Sequence, residues 1–207
     1  METKLWKEIL DMLQTADSQV KILEGNDNLG TMCVKELDLP INSVSYCILK
    51  NTAMIIVDDW VRLLGHGNEQ CEGIIEFNER FQKEIGDLFI VAYDVVGGMF
   101  AINHGRFEEE KGKIWYFSPD SLEWEPLSMK FSEFVAWLTT DGVAEFYSTM
   151  RWQSWTQDVK TLTLKQGVLI YPFLWAQELD IETATKKNVP WEELFYVNLD
   201  YVKKFGL

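Results

Sequence analysis

Leu88-Phe89-Ile90-Val91-Ala92-Tyr93-Asp94-Val95-Val96-Gly97-Gly98-Met99-Phe100-Ala101-Ile102-Asn103 is the stretch that decides the fold. From Leu88 to Tyr93 it is continuously apolar, the pattern of a strand covered on both faces. Val95-Val96-Gly97-Gly98 follows, and its glycine pair accepts positive φ in a tight connection. Met99 to Asn103 resumes a strand-forming run. The stretch therefore predicts a β-hairpin with Asp94 at the end of its first strand.

Toward the C-terminus, Ile114-Trp115-Tyr116-Phe117 is aromatic and β-branched, a third strand. Ser118-Pro119-Asp120-Ser121 is a strong turn signal. Leu122-Glu123-Trp124-Glu125-Pro126 alternates apolar and acidic residues, a half-exposed strand that Pro126 places at an edge or ends. These four strands predict an antiparallel meander. Phe131, Phe134, Val135 and Leu138 then occupy i, i+3, i+4 and i+7, and Val143, Phe146, Tyr147 and Met150 repeat the spacing. Helices are expected near 130–139 and 142–150, the second with Asp141 as N-cap. From Arg151 the chain is aromatic-rich and less regular, with one more strand over 168–173.

Toward the N-terminus, Ala53 to Val57 and Val61 to Leu64 read as strands, and Gly65-His66-Gly67-Asn68 punctuates the end of the second. A short helix fits Ser43 to Leu49, a strand Val20 to Glu24, and a turn-rich loop Gly25 to Gly30. Leu5, Ile9 and Met12 recur at helical spacing and predict an amphipathic helix over 4–14. No repeat or flexible linker interrupts the 207 residues. A single domain over 1–207 is expected, its core at about 40–150, with an N-terminal helix and an aromatic-rich C-terminal extension over 151–207. Strands followed by segregated helices predict an α+β fold, a mainly antiparallel sheet with a central meander and helices packed around it.

Apolar residues make up 47% of the chain and charged residues 25%, which excludes disorder and coiled coil. Asp plus Glu number 33 against 19 for Lys plus Arg, a net charge of -14. Phosphate backbones and anionic membranes repel such a surface, so the expected partner is a basic protein, with neither nucleic acid nor membrane. The start, METKLWKEILDMLQ, has no apolar h-region and is not expected to be a signal peptide. Cys33, Cys47 and Cys71 are odd in number and widely spaced, as in a reduced, cytoplasmic protein, and read as small buried hydrophobes.

Templates for chemistry are mostly missing from the sequence. There is no C-x-x-C, H-E-x-x-H or G-x-S-x-G. Gly65-His66-Gly67-Asn68-Glu69-Gln70 starts like a dinucleotide fingerprint without its last glycine, and Gly112-Lys113 lacks the rest of a phosphate loop. His66 and Cys71 match no zinc spacing. No cofactor or metal is expected, and no catalytic residue is assigned. Carboxylates are the plentiful reactive groups. Asp58-Asp59 follows one apolar strand and Asp94 ends another, so an alternative reading has them binding or hydrolysing carbohydrate with nearby aromatics. Glu108-Glu109-Glu110 forms an acidic loop between strands. Asp58, Asp59, Asp94, Glu108, Glu109 and Glu110 are the candidate partner-binding residues, since each lies at or beyond a strand end. Trp152, Trp155, Tyr171, Phe173 and Trp175 read as a packed satellite core or, alternatively, an exposed recognition patch.

The hairpin from Gly86 to Asn103, the strand Ile114 to Phe117 and the helix Phe131-Ser132-Glu133-Phe134-Val135-Ala136-Trp137-Leu138 together resemble the core of the SUKH superfamily. Val57 to Gly67, Tyr116 to Glu125 and Tyr171 to Trp175 bring the chain closer to a bacterial family of about this length, a domain of unknown function. The resemblance spans about residues 40 to 180. It implies an α+β domain with a mainly antiparallel sheet and no shared catalytic residues. Bacterial SUKH members are often immunity proteins that neutralise toxins, frequently nucleases, and fungal relatives regulate cell-wall glucan synthesis. The expectation is a non-enzymatic protein-binding domain, for which the resemblance implies, as a narrower form, an immunity protein facing a basic, nuclease-type toxin.

Overall fold

Strand order in the main sheet of the computed structural model, which describes residues 3–207, is the order of the chain itself. The sheet runs β1 (Val20–Glu24), β2 (Thr52–Val57), β3 (Val61–Leu64), β4 (Leu88–Asp94), β5 (Met99–Asn103), β6 (Ile114–Ser118) and β7 (Glu123–Pro126), with every neighbouring pair antiparallel. The predicted four-strand meander is thus the C-terminal part of a seven-stranded one. Helices α1 (Lys4–Gln14), α2 (Asp27–Glu36) and α3 (Val44–Asn51) precede β2, and α4 (Ile74–Ile85) lies between β3 and β4. After the sheet come α5 (Phe131–Trp137), α6 (Gly142–Phe146), α7 (Trp155–Val159), the two-stranded sheet β8 (Gln166–Tyr171) and β9 (Thr185–Pro190), and α8 (Trp191–Phe205). The fold class is α+β, as expected.

Alternation along the strands sends the two faces to different helices. Phe100 packs on Phe134 of α5 and Phe146 of α6, with ring centroids 4.8 and 6.1 Å apart. Its neighbour Met99 faces the other way and, with Phe117, meets Phe195 and Leu199 of α8. With both faces covered, β2 and β6 are buried at every position and β4 at all but Phe89. This explains why Leu88 to Tyr93 is a run without polar alternation. Ile90 and Phe100 are fully buried, whereas Ile102 is partly exposed.

Several local readings change. Gly25 to Gly30 is not all loop: Asn26 Oδ1 accepts from the amides of Asn28 and Leu29, caps the chain and starts α2. The predicted helix over 142–150 ends at Phe146 and continues in turns. Asp141 takes the N-cap place without a side-chain bond to the helix. Besides α2, the helices α4, α7 and α8 are additional to the sequence reading. In α4, Ile74, Phe77, Phe81 and Ile85 form the buried stripe, and in α8, Trp191, Leu194, Phe195 and Asn198 do.

The C-terminal third is tied to the main sheet by polar anchors. Arg62 on β3, 2% exposed, donates to the carbonyls of Thr163, Leu164 and Gln166, and its guanidinium lies over Tyr93. Val168 N–H donates to Val95 O at 2.7 Å. The aromatics of this third divide between two places. Trp152 and Trp155 pack on Trp60, while Phe173 and Trp175 pack on Tyr201 of α8 with Tyr171 largely exposed beside them.

Candidate functional site

The six acidic residues singled out in the sequence fall into three environments. Asp94 is fully buried and cannot meet a partner. Its Oδ1 accepts from Val96 N–H and Gly98 N–H, and its Oδ2 from the phenols of Tyr116 at 2.7 Å and Tyr147 at 3.0 Å. Gly97 supplies the positive φ of this turn, and a Cβ on Gly98 would stand 2.2 Å from Asp94 Oδ2. Burial pushes the Asp94 carboxyl above the usual carboxylate range, against the pull of its four donors. Burial and the facing carboxylate raise both phenols well above theirs, so each remains a donor. Asp94 is therefore a fold-building acid, and the placement of this residue on a partner face is corrected.

Asp58 and Asp59 are the central residues of the turn from Val57 to Trp60, closed by Trp60 N–H donating to Val57 O, and their φ of 56° and 54° have the positive sign of a type I′ turn. Asp58 is engaged through both oxygens and Asp59 through one, its Oδ2 being buried without a hydrogen-bond partner. Asp58 accepts from Gln19 N–H and pairs with Arg151 at 3.1 Å, and Asp59 pairs with Lys21 at 2.5 Å. Arg151 is itself sandwiched, its guanidinium carbon 4.0 Å from the Trp155 ring centroid. Glu108 and Glu109 are exposed; Glu108 pairs with Lys111, and Glu110, less exposed, with Lys113. Glu108 and Glu109 do face solvent, whereas Glu110 turns its Oε2 into a buried contact with Lys113 and is corrected as a freely presented acid.

A larger acidic feature lies elsewhere, in a groove of about 570 Å³ between α4, the loop before it, and the β9–α8 junction. Its floor is aromatic. Phe77 stacks on Tyr93 at 5.0 Å, and Trp191 lies 4.6 Å from Tyr93. Trp191 is held by donating its indole N–H to Asp94 O at 2.7 Å, so the buried acid turn and the groove share a residue. Four carboxylates, Glu69, Glu72, Glu76 and Glu192, line the groove against two cations, Arg80 and Lys165.

Glycines shape the rim. Gly67 adopts φ +78°, and a Cβ there would stand 2.4 Å from Gly73 N. A Cβ on Gly73 would stand 2.4 Å from His66 O. The two segments touch because neither carries a side chain. Asn68 Oδ1 accepts from Gln70 N–H and closes the loop, which puts Glu69 and Glu72 at the edge and lets α4 begin at Ile74. Behind the rim, His66 is buried. Its Nδ1 lies 2.8 Å from Leu49 O and its Nε2 accepts from Asn26 N–H at 2.9 Å, so the ring is the neutral Nδ1–H tautomer. Burial lowers its pKa, and nearby Lys50 adds to this. Cys71 is also buried, with its thiol pKa raised by desolvation. Cys33, likewise buried, is pushed up to about 11. These are packed groups, and among the described residues no three His, Cys, Asp or Glu stand where they could hold a metal ion.

The rings of the floor are buried and packed on one another, so the carboxylate rim is what matches the groove to a cationic group, through ion pairs. Of the candidates named from the sequence, none lines this groove. Glu69 and Glu72 sit in the loop before α4, Glu76 in α4 and Glu192 in the first turn of α8, two helices absent from the sequence reading. The spacing Ile74, Phe77, Phe81, Ile85 is the local signal for α4 and sets Glu76 and Arg80 one turn apart on it. Nothing local brings Glu192 to them.

Comparison with protein families matches residues 1–194 to the one described as Protein of unknown function DUF2625. Among curated proteins, the chain is similar to Putative uncharacterized protein YbfG of Escherichia coli (strain K12), 28% identical over 206 residues, covering 99% of this chain and 94% of that one. It is also similar to an uncharacterized protein of Haemophilus influenzae, 27% identical over 215 residues, covering 100% and 93%.

Proposed function

The chain belongs to that family, whose description hands down no activity, and we propose that it works as a non-enzymatic binding domain for a basic protein partner. The observation that carries this reading is the groove itself, where four carboxylates surround the Phe77–Tyr93–Trp191 floor. The net charge of -14 adds long-range attraction for the same class of partner. The resemblance of the central hairpin and its following helix to the SUKH superfamily supports a narrower form, an immunity protein that neutralises a nuclease-type toxin. The competing use of strand-end aspartates on carbohydrate has no support in their placement. Asp94 is sealed, and Asp58 and Asp59 are held by Arg151 and Lys21.

The test uses a basic peptide of alternating arginine and glycine, titrated into isotope-labelled protein and followed by amide shifts. Two double variants remove equal charge: Glu72→Gln with Glu192→Gln, and Glu108→Gln with Glu109→Gln. The expected result is shifts centred on the groove and roughly tenfold weaker binding for the first variant only. Shifts scattered over the surface, or equal weakening by both variants, would reduce the binding to unspecific charge attraction and overturn the reading. The immunity form requires a toxin whose growth arrest this protein relieves, and relief undiminished by Glu72→Gln with Glu192→Gln would remove the groove from it.

A further inference from the structure

The acidic groove already holds a cation that belongs to the chain. Arg80, on α4, sends Nη2 to Glu72 in the loop before the helix and Nη1 to Glu192 in the first turn of α8, at 3.5 Å. Its guanidinium carbon lies 5.3 Å from the centroid of the Phe81 ring. One planar fork thus bridges two carboxylates from elements far apart in sequence while the guanidinium lies near an aromatic ring.

We propose that Arg80 is an internal stand-in for an arginine of the partner, and that binding proceeds by exchange of one guanidinium for the other. This rests on the reading of the groove as the site for a basic protein, and it names the group recognised. One feature favours a guanidinium over an ammonium: the acids are spaced so that two separate N–H directions of one planar group meet them, which a point-like ammonium does not reproduce.

Exposure makes the exchange feasible. The side chains of Arg80, Glu72 and Glu192 are 39%, 27% and 46% exposed, so the internal bridge is a surface pair of small worth and its arm can swing into solvent. The other arginine–carboxylate pair, Arg151 with Asp58, is 8% and 15% exposed and wedged among aromatic rings, so it has no such freedom. With Arg80 displaced, Glu69, Glu72, Glu76 and Glu192 face the incoming group with Lys165 as the remaining cation of the groove. The internal arginine sets a threshold: a lone weak cation does not dislodge it, whereas an arginine presented by a docked basic surface does.

The experiment compares an arginine–glycine peptide with its lysine–glycine counterpart on four proteins, by amide-shift titration at low salt. Arg80→Ala is expected to bind the arginine peptide about fivefold or more tightly than the unmodified protein, and to gain less than half as much for the lysine peptide. Lys83→Ala, which removes the same charge from the same helix, is expected to change either affinity less than twofold. Arg80→Gln removes the charge while keeping more of the side chain, and serves if the alanine variant unfolds. Equal gains for both peptides, equal gains from Lys83→Ala, or weaker binding by Arg80→Ala would overturn the exchange. Glu72→Gln with Glu192→Gln separates the two levels. If it weakens binding while Arg80→Ala does not tighten it, the exchange alone falls. If it changes nothing, the groove is not the site and both readings fall.

Discussion

Asp94 and the pair Glu72–Glu192 are acids on either side of one tryptophan, and they are satisfied in opposite ways. Asp94 is enclosed by four neutral donors fixed to the backbone or to packed rings, with no cation bonded to it. Glu72 and Glu192 share one flexible arginine at the surface. Trp191 touches both, lining the groove with its ring and donating to the Asp94 carbonyl with its N–H. The difference teaches that an acid's role follows from its partners. Rigid, uncharged donors in a dry site commit a carboxylate to the fold, whereas an exchangeable cation in a wet site leaves it available to others.

The sharpest way to break this comparison is to remove the buried acid. Asp94→Ala leaves four donors without an acceptor, and denaturant unfolding is expected to show a loss of about 3–5 kcal/mol, or no folded protein. A loss below about 1 kcal/mol would mean the donors find water and the turn is not sealed. Tyr116→Phe and Tyr147→Phe each keep the ring and remove one donor, with an expected cost of about 1–2 kcal/mol. Mutual dependence of the two, read from the double variant, would mark a single network around Asp94.

A third measurement uses pH. The buried, neutral His66 has its folded pKa depressed, chiefly by desolvation, below the ordinary value of about 6.5. The unfolded chain therefore takes up a proton first on acidification. Stability from this group is complete above about pH 6.5 and declines as pH falls below it, through the depressed folded value, with a slope of at most about 1.4 kcal/mol per pH unit. Urea midpoints at pH 7.5 and 5.5 should separate accordingly, and His66→Gln should flatten the difference. The smallest effect belongs to the groove. Arg80→Gln should change stability by less than about 1 kcal/mol, because its bridges are exposed. A larger loss would make Arg80 a structural brace and move it to the Asp94 side of the comparison.

The comparison also shows what a linear reading captures. The meander was legible because each strand announces itself locally, through the apolar run Leu88 to Tyr93, the Gly97-Gly98 turn and the alternation around Trp124. The stripe Phe131, Phe134, Val135, Leu138 was equally local. Asp58, Asp59 and Asp94 read alike, each an acid ending an apolar strand, yet one ends up against two phenols and the others against Arg151 and Lys21. Those partners arrive from far along the chain, and no spacing rule brings Tyr147 to Asp94. The groove was hidden for the same reason. Glu72, Arg80 and Glu192 become neighbours only once α4 and α8 pack, through Phe81 on Phe195 at 4.4 Å.

The sheet whose spatial order is its chain order has a consequence for how the molecule assembles. Each strand pairs with the one just made, so the loops to be closed are mostly short, a topology of local contacts that favours rapid formation. A chain emerging from its N-terminus lays down β1 to β7 in sequence without waiting for distant segments. Only the later closures are remote: Tyr147 comes 53 residues after Asp94, and Trp191 comes 97. Those remote closures are where the C-terminal third is joined to the meander: Tyr147 completes the donors around the Asp94 carboxyl, and Trp191, bonded to the Asp94 carbonyl, brings Glu192 to the groove.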